Sequence, residues 1–142
     1  MASSNVTPSL RKLIEGDSKY RCGYCLIPAS FIPVRFEVEH IIPERRGGKT
    51  ERSNLWLSCP TCNRFKGVKT EAVDPDTQLI APLFNPRTQN WFEHFEWNDE
   101  GTRIDGLTSV GRATVAALKL NHDWWIDCRT DWVLRGNFPP KA

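Results

Sequence analysis

Two C-x-x-C pairs, Cys22/Cys25 and Cys59/Cys62, constrain this chain more than any other feature, because four thiolates at that spacing form a tetrahedral zinc site. A fifth cysteine, Cys128, stands apart, and an odd count argues against a disulfide framework. A redox C-x-x-C would account for one pair and leave the second unexplained. The expected cofactor is therefore a structural Zn²⁺ on Cys22, Cys25, Cys59 and Cys62, closing the 33 residues between the pairs into one module.

With 142 residues, 39% of them apolar, the chain can build a modest core for one domain with an extension, and two large domains are excluded. The expected boundaries are a core over 1–73 and a connector, hairpin and helices over 74–142, packed on that core. Apolar runs such as Phe31-Ile-Pro-Val34 fall far short of the roughly 18 residues of a membrane span, and Met1–Asn5 carries no secretory apolar region. The expectation is a soluble cytoplasmic protein with no membrane partner. Net charge is +2, but residues 1–70 hold 12 Lys/Arg against 6 Asp/Glu, and residues 71–142 hold 7 against 11. A basic first half suits a polyanion, with the acidic half turned away from it.

Local patterns give an α+β order. Thr7 as N-cap, Pro8 at the first helical position, Leu10, Leu13 and Ile14 on one face and Gly16 as stop predict an N-terminal helix. Phe31–Ile42 alternates like a strand, interrupted by Pro33 and ended by Pro43. A polar loop, 44–50, leads to the short strand Leu55-Trp56-Leu57, and the second cysteine pair opens a short helix through Asn63 to Lys66. Prolines at 75, 82 and 86 predict an irregular wrapping connector. Trp91–Trp97 and Thr102–Leu107 flank Asn98-Asp-Glu-Gly101 as a hairpin. Thr108 is expected to cap a helix with its seam at Val110, Ala113, Ala117 and Leu120. Asn121 is expected to cap a last helix burying Trp125, Cys128 and Trp132, with Cys128 an inert core thiol. His94 reads as structural and His122 as exposed.

Between and after the cysteine pairs stand Glu39-His40-Ile41-Ile42-Pro43, Gly47-Gly48, Asn54-Leu55 and Cys59-x-x-Cys62-Asn63-x-x-Lys66. This ordered set, over about residues 20–67, resembles the HNH endonuclease family in an H-N-N form, with Asn63 where many members carry His. The tail, with Asn85-Pro-Arg87, Gly106-Leu-Thr108 and Gly111-Arg-Ala-Thr114, is similar to the C-terminal extension of small bacterial HNH proteins. The resemblance implies a ββα-metal nuclease core with a structural zinc site, plus a C-terminal β-hairpin and two-helix extension. It also implies that His40 is the general base, that Asn54 orients it, and that Glu39 and Asn63 ligate a catalytic divalent cation. The implied activity is hydrolysis of DNA phosphodiester bonds, leaving 5′-phosphate and 3′-hydroxyl ends.

Elementary chemistry reaches the same assignment. A neutral imidazole titrates near physiological pH and can take a water's proton, and a divalent cation can stabilise the charge on the phosphate and the leaving 3′ oxygen. The hard oxygens of Glu39 and Asn63 suit Mg²⁺ or Mn²⁺, whereas thiolates suit zinc. Arg45, Arg46, Lys49, Arg64 and Lys66 crowd around this segment and are expected to contact nucleic-acid phosphates. On strict alternation His40 shares a face with Val34, Phe36 and Val38, where a histidine is ordinarily a core residue, and Glu39 would point the other way. The end of the strand at Pro43 and Gly47-Gly48 is where distortion would let both flank one phosphate. Glu37 reads as a surface strand residue. The competing function is a catalytically idle zinc-stabilised module that binds nucleic acid or protein, and RNA is the alternative substrate.

Overall fold

The computed structural model describes residues 5–141, so all but Asn5 of the Met1–Asn5 stretch, expected to carry no secretory region, lies outside it. Mixed short helices and two-stranded antiparallel sheets make this an α+β protein whose contacts fall into two units. The first unit runs to Thr70 and takes back Asn85–Thr88, and the second comprises Glu71–Phe84 and the residues from Gln89 onward. Among the described residues no helix is long and apolar enough to cross a membrane.

In the first unit, α1 (Pro8–Asp17) starts at Thr7, whose hydroxyl accepts from the Leu10 N–H, and Pro8 occupies the first turn where its missing N–H costs nothing. Gly16 lies inside the helix, and Ser18 forms the C-cap instead. Only Ile14 of α1 is buried; Leu13 is 47% exposed, so the apolar face is narrower than its periodicity implies. The long strand expected over 31–42 shrinks to β1 (Glu37–His40), because Pro28 and Pro33 leave the chain before it in a single 3₁₀ turn and bends. β1 pairs antiparallel with β2 (Leu55–Ser58), with Glu39 opposite Trp56 and His40 opposite Leu55. Helix α2 (Pro60–Lys66) follows at once, with the Cys59 sulfur as its N-terminal acceptor. Val38, Leu55 and Leu57 lie in the core with Ile14, Ile27 and Phe36.

The second unit contains β3 (Glu71–Val73) paired with β4 (Ile80–Pro82). The prolines of the connector therefore do not exclude regular structure, since Pro82 sits at the end of a two-stranded ladder where a missing donor is tolerated. The expected first hairpin strand divides into a helical turn, α3 (Trp91–His94), capped by Asn90, and β5 (Phe95–Trp97). β5 pairs with β6 (Ile104–Gly106). Helix α4 (Ser109–Leu118) is capped by Thr108 as expected and ends at Lys119, so Leu120 falls beyond it. Ala113 is buried on its seam, together with Gly111 and Thr114, while Val110 and Ala117 are half-buried.

Helix α5 (Asp123–Leu134) is capped by His122, because both amide groups of Asn121 are committed to the backbone of Ile104. Its buried residues are Trp125 and Arg129, four apart, and Cys128 is exposed rather than in the core. Arg129 takes the expected place of the thiol. Its guanidinium reaches the carbonyls of Thr102 and Leu120 and lies between the rings of Trp97 and Trp125.

Candidate active site

The four expected cysteines converge. Cys22, Cys25, Cys59 and Cys62 are buried, and their sulfurs all lie within 4.8 Å of one another. Tetrahedral zinc with Zn–S bonds of about 2.3 Å requires sulfur separations of about 3.8 Å, and Cys25 and Cys59 stand 3.9 Å apart. That separation is nearly twice a disulfide bond. Backbone geometry builds the cage: the Tyr24 N–H points at Cys22 Sγ at 3.5 Å and the Cys62 N–H at Cys59 Sγ at 3.4 Å. Hydrogen bonding to Cys22 pushes the thiols of Cys59 and Cys62 well up. Four buried sulfurs with such a donor set fit a structural divalent ion of the zinc type.

Beside the cage, β1 and α2 meet in two rungs. Alternation places Glu37 and Glu39 on one face of the strand, and residues three apart on the helix, Asn63 and Lys66, meet them. Asn63 Nδ2 donates to Glu37 Oε2, and Lys66 Nζ lies 2.8 Å from Glu39 Oε1. The other Glu39 oxygen, Oε2, accepts a 2.6 Å hydrogen bond from the Tyr24 hydroxyl. Glu39 is only 3% exposed, and burial raises its carboxyl above the ordinary range against the opposing pull of Lys66 and Tyr24. Two oxygens remain without a hydrogen bond although fully shielded: Asn63 Oδ1 and Glu39 Oε1. The Lys66 contact to Oε1 is thus an ion pair lacking hydrogen-bond geometry.

His40 ends β1. Its Nε2 is 2.9 Å from Thr50 Oγ1 and 3.7 Å from Glu44 Oε1. Burial lowers its pKa below the usual imidazole value, against the raising influence of Glu44, which favours the neutral ring. Despite alternation, Glu39, His40 and Asn63 line the same open cleft of about 260 Å³, with Pro43, Glu44 and Gly67. Asn54 does not touch the His40 ring. Its Oδ1 accepts from the Ile42 N–H at 2.8 Å, and its Nδ2 donates to the carbonyls of Ile42 and Lys49 at 2.9 and 3.0 Å. It staples the loop that follows the histidine. Gly47 turns that loop with φ +89°, and a Cβ on Gly48 would collide with the Ile42 carbonyl.

Of the expected phosphate contacts, Arg45, Arg46, Lys49 and Arg64 are exposed, with Arg45 beside the His40 cleft. Arg64 lines a neighbouring cleft of about 510 Å³ with Glu37, Thr61 and Asn63. Lys66 departs from that group, being 1% exposed and donating to the carbonyls of His40 and Ile41 as well as pairing with Glu39. Sequence reasoning overlooked Tyr24 and Thr50, and it read Glu37 as a surface strand residue where the fold leaves it half-buried and accepting from Asn63. Glu37 alone carried a signal, two residues from Glu39 on the same strand face; the other two are joined to the site only by the fold.

The fold thus sets a four-cysteine cluster able to hold a metal ion beside a two-stranded sheet and a short helix, whose carboxylate, amide and imidazole residues line one cleft: an α+β module. Residues 22–69 match the family described as HNH endonuclease, and this segment is an HNH domain. No curated protein and no solved structure matches the chain.

Proposed function

We propose that the protein is a metal-dependent endonuclease hydrolysing DNA phosphodiester bonds, with a ββα-metal core formed by β1, β2 and α2 and a Zn²⁺ on the four cysteines. The observation that carries this reading is a pair of shielded oxygens without hydrogen bonds, Asn63 Oδ1 and the Lys66-paired Glu39 Oε1, on two residues that line one cleft with His40. Buried polar atoms are almost always satisfied, so an unpaired Asn63 Oδ1 near a carboxylate oxygen met only by an ammonium suits a pair of cation ligands. Hard oxygens of this kind fit Mg²⁺ or Mn²⁺. Glu39 and Asn63 would hold the ion, which when bound supplies charge stabilisation for the phosphate and the leaving 3′ oxygen.

The chain's own groups do the rest. Glu37 turns the Asn63 amide so that its oxygen is the free end. Two acceptors near Nε2, on Thr50 and Glu44, favour the tautomer with the proton there and leave the lone pair on Nδ1 to take the proton of the attacking water. Asn54 acts through the backbone, fixing the loop after His40, so it is a positioning residue. Arg45, Arg46, Lys49 and Arg64 hold the DNA backbone without reading its sequence.

Supercoiled plasmid incubated with the zinc-loaded protein and Mg²⁺ or Mn²⁺ tests this. Cleavage should stop with EDTA and fall about 10²–10⁴-fold in His40→Ala, the usual range for a general base, with DNA binding retained. No cleavage of DNA by the parental protein, with DNA or protein binding intact, would favour the idle zinc module; cleavage of RNA alone would reassign the substrate.

A further inference from the structure

Glu39 is gripped from two directions. Tyr24 reaches it from the first C-x-x-C turn, where its own backbone N–H is held on Cys22 Sγ and its ring is fully buried. Its hydroxyl claims Oε2 at 2.6 Å. Lys66 approaches Oε1 from α2, the helix whose first turn carries Cys62 and whose N-terminal acceptor is Cys59. Both partners of the carboxylate therefore stand on segments anchored by the cysteine cage, and a displacement of either knuckle moves one of them.

We propose that Tyr24 is a positioning residue coupling the four-cysteine site to the divalent-cation site: by occupying Oε2 it fixes Oε1, which Lys66 pairs in the absence of metal, as the one carboxylate oxygen through which a cation displacing that ammonium would bind. This rests on the assignment of Glu39 as a cation ligand in the preceding section. A carboxylate held by one hydrogen bond from a rigid donor binds a cation through its remaining oxygen with little loss of rotamer freedom, and groups that orient a ligand in this way typically contribute 10–100-fold to metal affinity. Glu39 freed from Tyr24 would keep only the Lys66 contact, and a cation that displaced that ammonium would have to order the carboxylate itself.

Mn²⁺ binding to the full-length, zinc-loaded protein, measured by calorimetry without DNA, provides the test. Tyr24→Phe should bind Mn²⁺ about 10–100-fold more weakly than the parent while retaining one zinc per chain. Glu39→Gln serves as the reference. If Tyr24→Phe binds at parental affinity while Glu39→Gln is weakened, the role of Tyr24 is overturned and the ligand assignment stands. If Glu39→Gln also binds at parental affinity, the assignment falls, and this proposal with it. A measurement on the unaltered protein guards against a misfolded variant. The Tyr24 hydroxyl proton, shielded and strongly hydrogen-bonded, should resonate downfield in ¹H NMR and move upfield as Mg²⁺ draws charge from the carboxylate. An unmoved resonance at saturating Mg²⁺ would overturn the coupling.

Discussion

Replacing Lys66 by Met removes the ammonium while keeping most of the buried stem, so the change isolates charge from volume. The side chains of Lys66 and Glu39 are 2% and 4% exposed, which leaves no water to take over from the lost partner. Breaking a buried ion pair from one side costs about 3–5 kcal/mol, because the surviving charge stays desolvated. Here the carbonyls of His40 and Ile41 lose a donor as well. Against a total stability of about 5–15 kcal/mol, such a loss leaves the first unit marginal. The reverse change, Glu39→Gln, strands the ammonium instead. Because the same interaction is lost in both, the double variant should be less damaged than the sum of the singles by about 1–3 kcal/mol.

Native-state hydrogen exchange of the β1–β2 amides reads the opening of this unit separately from the other. In zinc-loaded Lys66→Met without Mg²⁺ their protection should fall by about 3–5 kcal/mol. Adding Mn²⁺ should return part of it, since a cation at Oε1 replaces the missing charge, and 100-fold excess over its dissociation constant is worth about 2.7 kcal/mol. The parent, whose carboxylate already has Lys66, should gain less. A loss under about 1 kcal/mol, or singles that add within about 0.5 kcal/mol, would refute the claim that this pair holds β1 to α2.

Three further outcomes are expected. Cys59→Ser should abolish the bound zinc found by elemental analysis and leave residues up to Thr70 without a cooperative unfolding transition, while equal zinc content and unchanged circular dichroism would contradict a structural cage. Thr50→Val should slow plasmid cleavage up to about tenfold, the value of one hydrogen bond of about 1–1.5 kcal/mol, with Mn²⁺ affinity unchanged and Thr50→Ser near the parental rate. Hydrogen bonds from Arg112, opposed by burial and aided by the Asp76 N–H, lower the Asp74 carboxyl to about 2. A depressed carboxylate stabilises the fold above its unfolded value of about 4 and ceases to do so as pH falls toward 2. Tryptophan fluorescence, five of whose six sources lie in the second unit, should therefore show the parent losing more stability between pH 5 and pH 2.5 than Asp74→Asn.

What was legible in the sequence was what chemistry fixes locally. Thiol spacing found the cage, and the hydroxyls of Thr7 and Thr108 found the starts of α1 and α4 because a cap acts within three residues of itself. Pairings between β1 and α2 were not legible, because Lys66 meets Glu39 across 27 positions and nothing in a lysine's surroundings announces that its stem will be buried. Composition marked Lys66 as a surface cation, and the fold made it a counter-ion. The same reason hid Arg129: a helix period that joins Trp125 to Cys128 joins it equally to Arg129, and only the carbonyls of Thr102 and Leu120 decide between thiol and guanidinium. Asn54 stands out in the sequence as part of the motif, but its partners are the Ile42 and Lys49 backbone, which no motif specifies.

The return of Asn85–Thr88 bears on what the HNH segment needs in order to stand. Arg87 lies over the Trp56 ring at 4.8 Å and reaches the Leu55 carbonyl at 3.1 Å and Asp17 Oδ2 at 2.8 Å. Asp17 is also gripped by Arg52, and the two guanidiniums, Arg52 first and against the effect of burial, hold its carboxyl well below the usual range. Leu55 is the residue opposite His40 in the β1–β2 register. The strand end that presents the imidazole is therefore braced by Arg87, itself held by Asp17 of α1, and both lie outside residues 22–69. A short two-stranded ladder is at best marginal in water. Placing a stabilising carboxylate upstream and a cation downstream makes the position of His40 depend on chain segments that carry none of the proposed chemistry.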